Sequence, residues 1–122
     1  MAGVSSYKDL KVWQLGVRIS TSVYQLAGAF PPEERFGLTN QIRRSAVSIA
    51  SNIAEGHARD STKDYLRHLS IASGSLAELE TQLLIASELG FAAGQPMAEL
   101  RALCEEESRM LSALRRSLRS KI

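Results

Sequence analysis

The sequence predicts an all-α protein, an up-down-up-down antiparallel four-helix bundle, and three observations carry that prediction. The stretch from Leu38 to Gly56 sets Leu38, Ile42, Ala46, Ile49 and Ile53 in one arc at helical period, with a polar stripe of Gln41, Arg44, Ser48, Asn52 and Glu55 beside it and small Val47, Ala50 and Ala54 behind. Two later stretches repeat core residues at alternating spacings of four and three. One runs Tyr65, Leu69, Ala72, Leu76, Leu79, Leu83, Ala86, the other Leu100, Cys104, Glu107, Leu111, Leu114, Leu118. That spacing is the packing period of left-handed bundles. No strand pattern, internal repeat or low-complexity segment competes with it, and short connections between four helices favour antiparallel neighbours.

Length and composition fit one domain over residues 1–122, with helices expected at about 9–29, 33–58, 61–89 and 96–119. Hydrophobic residues make up 44% and charged residues 23%, ordinary values for a globular chain. Apolar runs fall far short of the roughly 20 residues that span a bilayer, and Met1 to Leu10 lacks the pattern of a secretory signal. The single cysteine, Cys104, has no partner for an internal disulfide, which fits a reducing cytoplasm. A net charge of +2 permits contact with nucleic acid without requiring it.

The first helix is expected to be capped by Asp9 and ended by Phe30-Pro31-Pro32, because proline disfavours a helical residue before it. It carries two apolar stripes. Leu10, Trp13, Val17 and Tyr24 form one; Val12, Leu15, Ile19, Val23 and Leu26 form the other, with Gly16, Ser20 and Ala27 between them. So wide an apolar arc exceeds what one side of a small bundle covers and predicts an oligomer, with the second stripe, through Ile19 and Val23, as its expected interface. Pro31 to Arg35 reads as a turn or first helical turn that Gly37 interrupts, and Thr39 is a second candidate cap. Gly56 is expected to terminate the second helix near His57 or Ala58. Ser61-Thr62-Lys63-Asp64 resembles a capping box at the start of the third helix, Leu89-Gly90-Phe91 resembles its C-terminal cap, and Pro96 is placed at the start of the fourth.

Catalytic and metal chemistry find little support. The Glu-x-x-His pairs of di-metal bundles are missing, because Ala58, Thr81 and Leu83 follow Glu55, Glu78 and Glu80 at that spacing. His57 and His68 are too few for most zinc sites and are expected as non-catalytic surface or helix-terminal residues. Cys104 lies on an apolar seam, where a cysteine behaves as a small hydrophobe. Glycine-rich phosphate loops and nucleophile elbows are also missing. The chain is therefore expected to be no enzyme, with no metal and no cofactor.

Two constellations stand out. Arg43, Arg44, Asn52, Glu55, Glu80 and Glu107 can converge as a polar network inside the bundle. Glu107, a carboxylate at a core position, is expected to be buried and paired with Arg43 or Arg44. A register-fixing structural role is preferred to a cleft, since no nucleophile accompanies them. The second constellation is basic. Arg59, Lys63 and Arg67 are spaced four apart, and Arg109, Arg115, Arg116, Arg119 and Lys121 populate a chain end without acidic residues. In a monomer these are a solvated face; copied around a ring they become a phosphate-binding surface. Trp13, Tyr24 and Tyr65 lie on apolar faces, so base stacking is not expected.

Asp9-Leu10-x-Val12-Trp13-Gln14, Phe36-Gly37-Leu38-Thr39, Gln41 through Ile49, Asn52-Ile53-Ala54-Glu55-Gly56 and Gly74-Ser75-Leu76-x-Glu78-Leu79-Glu80-Thr81-Gln82-Leu83 together resemble one family: the four-helix-bundle proteins encoded in intervening sequences of bacterial 23S ribosomal RNA genes. The resemblance covers about residues 7–91 strongly and the fourth helix loosely. Ala50 departs from it, standing where proline is expected in many relatives, and leaves the second helix straighter. The resemblance implies a ring-shaped homopentamer. It extends to the accessory variability determinant of diversity-generating retroelements, a basic pentamer that binds nucleic acid and a reverse transcriptase. The resulting expectation is a non-enzymatic, cytoplasmic, oligomeric bundle serving as an accessory factor to RNA or DNA and a nucleic-acid-processing protein, with no membrane. The alternative is an oligomeric protein-binding scaffold that binds no nucleic acid.

Overall fold

A computed structural model describes residues 6–122. A 3-10 turn, Tyr7–Asp9, leads into α1 (Lys11–Ala27); a second 3-10 turn, Pro32–Glu34, precedes α2 (Leu38–His57), and α3 (Thr62–Glu88) and α4 (Gly94–Arg119) follow. Helices adjacent in sequence pack together and α4 closes against α1, while the backbones of diagonal helices stay apart among the described residues. Across α1 and α2, Ser20 donates to the Ala46 carbonyl at 3.0 Å while Gly16 faces Ala50. Across α2 and α3, Ser48 meets Ser75 and Asn52 meets His68. Arg115 reaches Ser73 across α4 and α3, and Glu107 stands beside Gly16 across α4 and α1. Residue numbers thus rise on one helix as they fall on the next, which makes the bundle up-down-up-down.

The seams read from the sequence form the core. Ile42, Ala46, Ile49 and Ile53 of α2 are buried with Leu69, Ala72, Leu76, Leu79, Leu83 and Ala86 of α3 and with Leu100, Cys104 and Leu111 of α4. On α1 the outcome differs from expectation. The second stripe is the core stripe, with Ile19 and Val23 inaccessible to solvent, so it cannot be an interface between copies. The first stripe faces outward: Val17 and Tyr24 are exposed and Trp13 is half-buried. Gly16, Ser20 and Ala46 explain the inversion. Small residues there let α1 and α2 approach closely, and the close approach turns the neighbouring second stripe inward.

Several ends were legible and others were not. Ser61 accepts from the Asp64 amide at 3.0 Å as the N-cap of α3. After Leu89, Gly90 takes φ 75° while the Phe91 amide donates to the Ala86 carbonyl and the Gly90 amide to Ser87, the paired bonds of a Schellman ending. Asp9, by contrast, does not cap α1. Ser6 caps the preceding 3-10 turn and Leu10 is the N-cap of α1 without a side-chain bond. Residues 33–58 are not one helix either, since the chain breaks at Gly37. Thr39 is buried inside α2, and the Glu34 carboxylate accepts from the Leu38 amide in its place. Gly56 is no terminator: a Cβ there would stand 2.7 Å from that of His68, so it is a packing glycine where α2 and α3 close together. The fourth helix begins two residues earlier than expected, at Gly94, with Pro96 inside its first turn, where the missing amide proton costs no hydrogen bond.

Candidate functional site

The six residues expected to form one polar network do not converge. Asn52 and Glu55 join a seam between α2 and α3. Arg43 lies over the Tyr24 ring, 4.7 Å from its centroid, on the outer α1–α2 edge. Arg44 is exposed in a groove, and Glu80 is exposed beside Glu105, its pKa raised by partial burial and then by that neighbour. Glu107 is buried as expected, with no exposed surface, but neither carboxyl oxygen has a hydrogen-bond partner. The expected pairing with Arg43 or Arg44 is therefore incorrect. Arg43 is directed to the Tyr24 ring and Arg44 lines an exposed groove, whereas Glu107 Oε2 lies beside Gly16. Burial, and secondarily the Glu106 charge, push its pKa up to about 8, so the carboxyl is largely protonated at neutral pH.

The seam between α2 and α3 carries a line of polar side chains, Ser48, Asn52, His68 and Ser75. Asn52 donates through Nδ2 to the Ser48 carbonyl and hydroxyl, at 2.9 and 3.0 Å. Its Oδ1 therefore faces His68 Nδ1 as acceptor, at 3.2 Å, which assigns the proton to Nδ1. His68 Nε2 makes no hydrogen bond; it lies 3.9 Å from the Glu55 carboxylate, which Arg59 holds at 3.2 Å. The Ser48 and Ser75 hydroxyls bond at 2.8 Å and continue the seam toward a groove lined by Gln41, Arg44, Ser45, Ser48, Glu78 and Gln82. His68, expected at the surface, is buried. Its position seven residues before Ser75 and fourteen before Gln82 is the signal that marks the face of α3 turned to α2. His57 sits at the end of α2 with its ring edge against Tyr65.

The basic residues gather better than the sequence indicated. The α2–α3 connection, the start of α1 and the end of α4 share one end of the antiparallel bundle. Ten of the fifteen Lys and Arg residues lie in that half: Lys8, Lys11, Arg59, Lys63, Arg67, Arg109, Arg115, Arg116, Arg119 and Lys121. Only Asp9, Glu55, Asp60 and Asp64 accompany them, and the other nine carboxylates lie from mid-height to the opposite end. All ten cations except Arg115 are exposed. Arg115 is half-buried and donates to Ser73 at 3.2 Å, so it is partly committed to the fold.

Among the described residues no three His, Cys, Asp or Glu side chains group as metal ligands, and no helix is long and apolar enough to cross a membrane. The chain is similar to a protein of unknown function from the S23 ribosomal protein family of Bacteroides thetaiotaomicron, whose crystal structure was determined at 1.70 Å. The two share 22% identity over 86% of this chain and 95% of that one, with a TM-score of 0.79, a likeness of fold. No curated protein matches the chain. The model of the 23S rRNA-intervening sequence protein family matches residues 8–113. With the four-helix fold and most of its length accounted for, the chain belongs to the 23S rRNA-intervening sequence protein family.

Proposed function

We propose that this protein is a non-enzymatic accessory factor of the cytoplasm that assembles into a homopentameric ring and binds RNA or DNA through its basic end, alongside a nucleic-acid-processing protein. The observation that carries the reading is the segregation of charge along the bundle. A net charge of only +2 conceals an end where cations outnumber carboxylates by more than two to one. In a ring with parallel protomers, every copy contributes that end to the same rim. Phosphate affinity grows steeply with the number of contacts, so the rim binds where a monomer does not. The outer α1–α2 edge supports assembly, because Val17, Tyr24 and Val47 expose apolar surface there with Trp13 beside them.

Gel-shift titration of structured RNA and duplex DNA at low and moderate salt tests the reading. Binding is expected to be largely independent of sequence and to weaken with salt, with a slope of roughly −0.9 per phosphate neutralised on duplex DNA. Replacing Arg116, Arg119 and Lys121 with serine flattens the slope; replacing Arg115 as well also costs the Ser73 contact. A verified oligomer that binds nothing at low salt refutes nucleic-acid binding and favours the protein-scaffold alternative. Binding indifferent to these replacements refutes the basic end as the surface.

A further inference from the structure

A face that pairs with its own copy closes a dimer, so a ring of five identical chains needs two different faces on every protomer. The outer α1–α2 edge, with Val17, Tyr24 and Val47 exposed, is one such face. Among the described residues, the other large apolar side chains exposed along helices are Ile71, Leu84 and Ile85, and all three stand on α3. Ile71, Gly74, Glu78, Thr81 and Ile85 follow one another at alternating spacings of three and four. They therefore share one exposed stripe, with Leu84 at its side. Gly74 sits in mid-helix, where glycine weakens a helix relative to alanine. A Cβ there would meet nothing within 4 Å, so packing inside the protomer does not account for the glycine.

The two faces are complementary in charge and matched in height. α1 carries no carboxylate and α2 none before Glu55, while Arg43 and Arg44 flank the α1–α2 edge. From Ser70 to its end α3 carries no cation, and its charges there are Glu78, Glu80 and Glu88. The Ser20–Ala46 and Ser48–Ser75 bonds set Val17 and Tyr24 on the same length of the bundle as Ser70 to Leu84. Copies in a closed ring stand at one height, so edge and stripe meet without sliding along the bundle.

Resting on the reading of the protein as a ring, we propose that the outward stripe of α3 is the second half of the ring interface. It receives the α1–α2 edge of the next copy. Val17 and Tyr24 of one protomer pack on Ile71, Leu84 and Ile85 of its partner, which removes exposed apolar surface from water on both. Gly74 and Thr81 leave room for the close approach, and the carboxylates of α3 face the cations of α2.

Light scattering of single and mixed variants of the full chain tests the pairing. Ile71→Asp with Ile85→Asp is expected to reduce the oligomer to single chains with helical content intact, since both positions are exposed in the protomer. Gly74→Leu, which adds bulk where the protomer has open space, is expected to do the same. The decisive measurement mixes two broken chains. Val17→Asp/Val47→Asp keeps an intact α3 stripe, and Ile71→Asp/Ile85→Asp keeps an intact α1–α2 edge. Each alone is expected to stay a single chain, and the equal mixture at millimolar concentration to reach the mass of two chains and stop there. A native mass for the α3 variants of an oligomeric parent overturns the α3 face and leaves the ring standing. A mixture that stays at one chain overturns the pairing of these two faces. A parent chain that is itself monomeric overturns the ring and this interface with it.

Discussion

A Cβ on Gly16 would stand 3.0 Å from Glu107 Oε2 and 3.3 Å from the Ala50 Cβ. The glycine of α1 thus makes room for a buried carboxyl of α4 and for the approach of α2 at Ala50 at once. Gly16→Ala gains helix propensity of about 1 kcal/mol, but it overpacks a crossing whose other wall includes the Ala50 backbone. A net loss of about 1–3 kcal/mol is expected in denaturant unfolding. Ala50→Gly in the same chain should recover part of it. Equal or higher stability of Gly16→Ala alone would show that the crossing has slack.

Glu107 makes stability depend on pH. Its folded pKa of about 8 lies above the ordinary carboxylate value of 4.5, so the folded state holds a proton that the unfolded state releases between those values. Below about pH 4.5 the group is protonated in both states and adds nothing to the pH dependence. Stability should fall as pH rises from there through about 8, by on the order of a few kcal/mol, and then level off with respect to this group. Glu107→Gln should remove that slope and raise the melting temperature at pH 8. A slope unchanged in Glu107→Gln would assign it to another group.

The His68–Asn52 bond predicts a loss on truncation. His68→Ala leaves Asn52 Oδ1 without its donor and opens a cavity beside Gly56, which together should cost about 2–4 kcal/mol. Asn52→Ala should also destabilise, since it leaves the buried His68 Nδ1–H without its acceptor. Additivity of the two losses in the double variant would show that the residues are not coupled.

Assembly should depend on the outward stripe of α1. Val17→Asp and Val47→Asp are expected to lower the mass found by light scattering while leaving helical content intact, because both residues are exposed in the protomer. Ile19→Asp should unfold the protomer itself, since it buries a charge with no partner. A native mass for Val17→Asp and Val47→Asp together would place the interface on another face.

Cys104 should be inert while the fold holds. Burial first, and then the carboxylates of Glu80, Glu107 and Glu105, push its thiol pKa up to about 12. Reaction with a thiol reagent at neutral pH is expected to proceed at the rate of opening, accelerating with denaturant. Rapid modification of the native chain would contradict the burial.

The sequence by itself determined the four helices, the seams of α3 and α4, the Ser61 and Gly90 caps and the burial of Glu107. Each is set by spacing along one helix or by hydrogen bonds within a few residues, so periodicity and local chemistry suffice to specify it. It did not determine which stripe of α1 turns inward, because both are apolar and only the close approach at Gly16, Ser20 and Ala46 selects between them. Nor did it reveal that Glu107 stands unpaired, that His68 lies beneath Asn52, or that two separate groups of cations share one end of the bundle. Those relationships join residues on different helices, and their distances follow from helix rotation and antiparallel register. Rotation and register are fixed by packing all four helices together, and no single helix carries that information.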